Sequence, residues 1–150
     1  MKFYKVIDNK LVSGSGKSAP DDTWLTDWSL LQTKEDGSYY SYYNEDGTID
    51  ITKETEAETE TLIAQYKSYY LEVFNAKLAE LDYDDIATVG VWAIKDGSSF
   101  QAEAKTLLNW YEAIINKNYE LINAVKAGTI STPTKEGYLL ELPLYEAFKV

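Results

Sequence analysis

The sequence predicts an α+β fold, in which a short antiparallel β-hairpin segment is followed by a helical hairpin or bundle. Three observations predict it: a β-prone run that turns at Asp8-Asn9, and two long stretches with apolar residues at helical spacing, about 52–82 and 99–127. A chain of 150 residues suits one compact domain, alone or with an appendage. We therefore expect a β-rich, aromatic N-terminal segment over residues 1–50 and a helical domain over residues 51–150.

The first long helix is the clearest element of the sequence. Its apolar residues alternate in steps of four and three and form a wide stripe, made of Leu62, Ile63, Tyr66, Tyr69, Tyr70, Val73, Phe74, Ala76, Leu78 and Leu81. Thr52 is positioned to cap the first turn, and Thr55 with Glu58 fits a capping box. The spacing over 62–76 also fits a coiled coil, but it lasts only about two to three heptads, so packing within the chain is favoured.

The second long helix carries a matching stripe. Its members are Phe100, Ala104, Leu107, Leu108, Tyr111, Ile114, Ile115, Tyr119, Ile122 and Val125. Ser98 with Gln101 fits a capping box at the start, and Gly128 follows the last apolar residues as a helix stop. Two helices with such stripes are expected to pack antiparallel as a helical hairpin.

Two shorter helices are expected, at about 84–94 and 134–142. The apolar run from Ile86 to Ile94 fits either a short helix capped by Asp84 or a buried strand over 88–94, because short apolar runs do not separate the two. The helix is favoured, since the run lies between two helices and has no obvious strand to pair with. The sequence shows no convincing internal repeat.

The first fifty residues are typical of β structure joined by loops. Residues 1–16 predict the hairpin, and residues 13–22 predict a loop because they are rich in Gly, Ser, Pro and Asp. Further along, the Tyr-rich run over residues 38–43 lies between Asp36-Gly37 and Asp46-Gly47, the pattern of a strand bounded by tight turns. Such a strand would carry aromatic side chains on both faces.

Composition argues against most kinds of catalysis. The chain contains no cysteine, histidine or arginine, so it has no thiol nucleophile, no imidazole base, no guanidinium clamp and no zinc, haem or iron–sulfur ligands of the usual types. We expect no enzyme activity and no cofactor or metal. The formal charge of −11 would repel nucleic acid, and no stretch approaches the roughly 20 apolar residues needed to span a membrane. The N-terminus lacks the apolar core of a signal peptide, so a soluble cytoplasmic product is expected.

Two short motifs match chemical sites only in part. Gly16-Lys17-Ser18 resembles the end of a phosphate-binding loop, but Leu11 stands where the first glycine is needed. The turn from Asn44 to Ile49 matches the middle of a calcium-binding EF-hand loop, but Tyr42 and Lys53 occupy its first and twelfth positions. A loop and a hairpin turn are the simpler interpretations. A carboxylate enzyme would have to use the remaining acidic group, Asp82, Asp84, Asp85 and Glu103.

The aromatic residues of the N-terminal segment are the candidate protein interface. Tryptophan and tyrosine are enriched in interface hot spots, and the candidates are Trp24, Trp28, Tyr39, Tyr40, Tyr42 and Tyr43. The competing and favoured interpretation of the two tryptophans is that they anchor a small N-terminal core. An exposed hairpin in this segment could also bind by strand addition to another subunit.

Three pieces of the C-terminal half resemble a known class of proteins. They are AELDYDDIATV, SSFQAEAKTLLNWYEAI and AVKAGTISTPTKEGYLLELP, within about residues 78–143. This order is similar to the helical region of small proteins from tailed-bacteriophage structural modules: tail-fibre, tail-assembly and virion-accessory proteins. The residues that carry it are Phe100, Glu103, Ala104, Leu107, Trp110, Ala127, Gly128, Pro133, Thr134, Leu139, Leu142 and Pro143.

The resemblance implies a non-enzymatic virion-associated protein, a head or tail component made in the bacterial host cytoplasm. Its partners would be other virion proteins, with a homo-oligomer as one option. Two alternatives remain: a phage tail assembly chaperone, and a small acidic cytosolic adaptor or inhibitor that binds a basic protein. The charge of −11 favours rapid association with a basic surface.

Overall fold

The structure is a computed structural model in which residues 1–149 are described. It contains one antiparallel hairpin, formed by β1 (Lys2–Ile7) and β2 (Lys10–Ser15), followed in the described part of the chain by four α-helices. These are α1 (Ile51–Glu80), α2 (Ile86–Ile94), α3 (Gln101–Lys126) and α4 (Lys135–Glu141). Short 3₁₀ turns occur at Trp28–Leu30 and Tyr145–Phe148. The predicted α+β class is therefore confirmed, and every helix end lies within two residues of its predicted position.

The chain divides into two compact units between Thr59 and Glu60, inside α1. The sequence places its boundary near residue 50, at the start of that helix. The first turns of α1 belong to the N-terminal unit because Glu54 is buried there and accepts backbone hydrogen bonds from Ser41 and Tyr42. The long apolar stripe of α1 begins only after this boundary, in the second unit.

The hairpin turns at Asp8 and Asn9, which both have positive φ, at 50° and 62°. These are the values that a two-residue type I′ turn requires, and short polar residues such as Asp and Asn tolerate them best after glycine. The register runs from Ile7 opposite Lys10 to Lys2 opposite Ser15. The expected hairpin thus has the tightest connection that antiparallel strands allow.

The Tyr-rich run is not a regular strand, contrary to the prediction. It makes only isolated bridges: Thr33 with Tyr39, Lys10 with Tyr42, and Tyr43 with Ile49. The reason is that tight turns on either side reverse the chain, which leaves too few residues between them for a continuous ladder. The run instead connects two small loops, residues 34–38 and 44–48, and we call the residues between them, 39–43, the crossing segment.

Those two loops repeat one another, although the sequence showed no convincing repeat. Lys34 N–H donates to the Ser38 carbonyl and Asn44 N–H to the Thr48 carbonyl, both at 2.7 Å. The glycines between them have φ of +81° and +82°. In each loop an aspartate accepts hydrogen bonds from the hydroxyl and the N–H of the residue two positions later: Asp36 accepts from Ser38, and Asp46 accepts from Thr48. The EF-hand-like stretch is accordingly a hairpin turn whose Asp46 carboxylate caps the turn itself.

The second unit is built on aromatic packing between α1 and α3. Phe74 of α1 contacts Trp110 and Tyr111 of α3, with ring centroids 5.6 and 4.4 Å apart. Close to the start of α3, the hydroxyl of Tyr83, which follows α1, donates to Glu103 at 3.1 Å. Because Phe74 contacts Trp110 while the later residue Tyr83 contacts the earlier residue Glu103, α1 and α3 run antiparallel, as expected. The buried faces differ from the predicted stripes, because Ile63, Ala76, Phe100 and Tyr119 lie exposed, whereas α3 also buries Trp110, Asn118 and Leu121.

The C-terminal segment closes this core with polar contacts from buried rings. The Tyr138 hydroxyl donates to Asn118 Oδ1 at 2.8 Å, and both residues are buried. The Trp110 indole N–H donates to the Pro143 carbonyl at 2.7 Å, and Tyr145 stacks edge-on against the same indole. In the run after Pro143, Tyr145 is thus part of the core and Phe148 packs against it, whereas Leu144 and Lys149 are exposed. Val150 lies outside the described residues.

Three helix caps differ from those expected. Asp50, not Thr52, caps α1 by accepting from Lys53 N–H at 3.1 Å. Asp85, not Asp84, caps α2 by accepting from Thr88 N–H at 2.7 Å. At α3 no reciprocal capping box forms, because Gln101 donates instead to the Ala93 carbonyl and to Asp96. Several adjacent Asp and Thr residues could cap each helix, and only the path of the incoming chain selects one of them.

Replacing Gly14 with alanine is expected to destabilise the hairpin by about 1–2 kcal/mol. A Cβ there would lie 2.5 Å from Phe3 Cε2, and Phe3 cannot swing aside freely because it is buried and packs against Trp24. The matched control is Gly16→Ala, whose Cβ would lie 3.7 Å from the same ring. Chemical denaturation of the two variants checks this, and equal stabilities would contradict it.

Candidate protein-binding surfaces

Three of the predicted interface aromatics, Trp24, Trp28 and Tyr39, pack against other rings of the first unit. Trp28 lies between Tyr4 and Tyr39, at centroid distances of 4.9 and 5.0 Å, and Trp24 packs edge-on against Phe3 at 5.3 Å. Both tryptophans are only half-buried, so each also presents ring surface to solvent. This arrangement fits the core interpretation of Trp24 and Trp28, and their role in binding a partner stays a prediction.

The remaining predicted residues differ in accessibility. Tyr43 is buried, whereas Tyr40 and Tyr42 are half-buried. The amino group of Lys34 lies 5.4 Å from the Tyr40 ring centroid, and that of Lys10 lies 5.6 Å from the Tyr42 ring centroid. Cation–π contacts at these distances cover one face of each ring. Tyr43 is therefore the least suited of the six to direct contact with a partner.

Two clefts of about 560 Å³ each open on the surface of the first unit. The first, which we call the edge cleft, is lined by Lys2, Ser13, Gly14, Ser15, Trp28 and Tyr39. The second includes Tyr4, Leu25 and Tyr43 in its wall. Each wall contains a residue with a buried polar atom that has no hydrogen-bond partner in the described residues: Trp28 Nε1 in the first and the Tyr43 hydroxyl in the second. Unpaired buried donors of this kind are uncommon in folded proteins.

A buried carboxylate fixes the crossing segment beside these clefts. Glu54 accepts from Tyr42 N–H at 2.6 Å and from Ser41 N–H, and it pairs with the Lys34 amino group at 2.9 Å. Burial alone would raise the pKa of Glu54, but the hydrogen bonds from Lys34, Tyr42 and Ser41 outweigh it and hold the pKa below its ordinary value. The hydrogen bonds from Glu58 and Glu54 raise the pKa of Lys34. The pair therefore remains charged across the physiological range.

The second unit exposes an apolar surface that sequence periodicity did not indicate. Val91 and Ile94, one turn apart on α2, are 59% and 81% exposed. Ile86 on the same helix and Phe100 just before α3 are also exposed, and Phe100 stacks on the half-buried Trp92. We call the exposed neighbours Val91 and Ile94 the α2 patch. A helix with almost no polar side chains would normally be buried on most sides, yet only Val89 and Ala93 of α2 are buried, and Trp92 is half-buried against the core.

Two of the four acidic residues considered for catalysis have structural partners. Asp85 caps α2, and Glu103 accepts the hydrogen bond of the buried Tyr83 hydroxyl. Burial and this hydrogen bond raise the pKa of Tyr83 to about 12. Within residues 1–149, no three His, Cys, Asp or Glu side chains are grouped so as to hold a metal ion. The phosphate-loop-like Gly16-Lys17-Ser18 leads into a bend, and no α-helix begins before Ile51.

No family model, curated protein or solved structure matches this chain. Within the described residues, no helix is both long enough and apolar enough to cross a membrane. The sequence contains one signal for the α2 patch, a nine-residue helix in which Thr88 is the only polar side chain, because such a helix exposes apolar groups wherever the core does not cover it.

Proposed function

We propose that this protein is a non-enzymatic, virion-associated protein of a tailed phage, a head or tail accessory or structural component that acts through protein–protein contacts. It is made in the bacterial host cytoplasm and joins other virion proteins in the particle. The observation that carries the proposal is the α2 patch. It lies inside the segment 78–143, whose sequence resembles proteins of tailed-phage structural modules.

The α2 patch has the properties of a docking surface for another protein. Exposed clusters of large apolar side chains usually mark interaction sites, and covering one Val or Ile fully contributes about 1.5–3 kcal/mol. Exposed carboxylates stand at both ends of α2, with Asp84 and Asp85 before it and Asp96 after it. The partner surface that fits is therefore apolar at its centre and carries lysine or arginine at its rim.

Substituting both Val91 and Ile94 with lysine is expected to abolish association with particles. Both side chains are exposed, so the fold should keep its melting temperature to within a few degrees. Leu140→Lys is the matched control, because Leu140 is 87% exposed on α4 and lies outside the patch. The measurement is an immunoblot of gradient-purified particles from cells that produce each variant. Wild-type protein missing from the particles, or a double variant that is retained in them, would contradict the proposal.

The net charge of −11 favours a second candidate, an assembly chaperone or adaptor that binds a basic protein. Such a protein would bind its partner in the lysate and be absent from finished particles. Its binding would also weaken steeply with added salt, because charges on exposed surfaces are screened. Light scattering at two concentrations would show whether the free protein forms a homo-oligomer, which is one option for a structural component.

A further inference from the structure

We propose that the outer edge of β2, from Ser13 to Ser15, is a strand-addition site for an extended segment of a partner protein. The added segment would continue the sheet and place one side chain in the edge cleft, against Trp28 and Tyr39. The inference deepens the proposed function and rests on it, since it names the form in which a particle protein would bind the first unit. It uses a surface separate from the α2 patch.

The hydrogen bonds of the opposite strand show which way the backbone groups of β2 point. Tyr4 exchanges two backbone hydrogen bonds with Leu25, each 2.8 Å long, so its N–H and C=O point away from β2. Hydrogen-bonded and non-hydrogen-bonded pairs alternate along antiparallel strands. Because Tyr4 pairs with Ser13 and Lys2 pairs with Ser15, the N–H and C=O of both serines must point outward, away from β1.

The crossing segment covers only the first part of this edge. Leu11 N–H donates to the Ser41 carbonyl at 2.7 Å, and Tyr43 N–H donates to the Asn9 carbonyl at 2.8 Å. Past Leu11, the outward groups of Ser13 and Ser15 form no hydrogen bond with any residue in the described range 1–149. Both serines are exposed. The outer edge of β2 thus pairs with the crossing segment at Asn9 and Leu11 and is open from Ser13 to Ser15.

The edge cleft supplies a side-chain pocket next to the open backbone. The cleft is lined by Ser13, Gly14 and Ser15 of the strand, by the half-buried rings of Trp28 and Tyr39, and by Lys2. An apolar or aromatic side chain placed in it would bury surface of the Trp28 and Tyr39 rings. The Trp28 indole N–H is buried and has no acceptor among the described residues.

These features define the chemistry of the occupant. Outward donors and acceptors that repeat every second residue are matched by the backbone of an extended peptide, which provides the same period. Exposed strand edges are otherwise protected by charge, proline or a covering loop. At Ser13 to Ser15 the strand carries two hydroxyls and a glycine, with no charged side chain and no proline.

The test uses the full chain and a library of random eight-residue peptides displayed on yeast. Enriched peptides are synthesised, and binding is measured by calorimetry with wild-type protein, Ser13→Pro and Ser18→Ala. Ser13→Pro removes the outward N–H and should weaken binding about tenfold. Ser18→Ala is the control, because Ser18 is exposed and lies outside the edge cleft, and it is expected to bind within about twofold of wild type.

A second readout does not depend on how well the proline variant folds. Hydrogen exchange of the Ser13 and Ser15 amides in wild-type protein should slow at least about tenfold when an enriched peptide saturates the site. Failure to enrich any peptide, or enrichment of peptides that leave these two amides unprotected, would overturn the inference. If that happens while the protein still enters particles, the strand-addition site fails and the proposed function stands. If enriched peptides protect these amides but the protein never enters particles, the strand-addition site stands and the proposed function fails.

Discussion

Replacing Trp110 with alanine is expected to lower the free energy of unfolding of the second unit by about 4 kcal/mol. Trp110 is 2% exposed and contacts Phe74 and Tyr145, so its removal leaves a cavity at the centre of the helical core. It also removes the donor to the Pro143 carbonyl. A loss of this size is comparable to the whole stability of many small domains, so the variant should be largely unfolded near 37 °C.

The matched control for this substitution is Tyr119→Ala on the same helix. Tyr119 is 61% exposed, and its replacement should change stability by less than about 0.5 kcal/mol. Urea unfolding followed by far-UV circular dichroism measures both variants, because most of the helical signal comes from this unit. Similar midpoints for the two variants would show that Trp110 is not the centre of the core.

Replacing Glu54 with alanine is expected to destabilise the first unit by about 3 kcal/mol. The substitution leaves the Ser41 and Tyr42 amides without an acceptor and the Lys34 amino group without its buried partner. The crossing segment should then detach from the start of α1. Glu56→Ala is the matched control, because Glu56 lies two residues away and is exposed. Hydrogen exchange of the Ser41 and Tyr42 amides reports the effect at the site itself, and unchanged protection would contradict it.

The same carboxylate makes the first unit sensitive to acid. The pKa of Glu54 in the folded protein lies below its ordinary value of 4.5, so folding favours the ionised form. Its contribution is complete above pH 4.5 and is lost as the pH falls through the lowered pKa of the folded state. Wild-type protein should therefore lose stability in the first unit below that pH, and Glu54→Ala should lose less over the same range. Parallel pH curves for the two proteins would exclude Glu54 as the source.

The aromatic residues predicted as an interface and the open edge of β2 differ in how clearly the sequence reveals them. The aromatic residues of the first unit stand out in the sequence, but the structure uses them mainly to pack the hairpin, with Trp28 between Tyr4 and Tyr39. The open edge at Ser13 and Ser15 is unremarkable in sequence, because two serines around a glycine are typical of a loop. Its availability depends on where the crossing segment leaves β2: Ser41 still pairs with Leu11, but Tyr39, the residue that would come opposite Ser13, pairs with Thr33 instead.

The order and type of the main elements followed from the sequence alone. Helical spacing predicted α1 and α3, and Asp8-Asn9 between β-prone residues predicted the hairpin, because these signals are local and strong. Tertiary structure decided the rest. It made Glu54 a buried anchor rather than one of several acidic residues in a first turn, it left Val91 and Ile94 exposed on an apolar helix, and it broke the Tyr-rich run into bridges. Each of these outcomes depends on which distant residues cover a side chain or pair with a backbone group, and local periodicity carries no information about that.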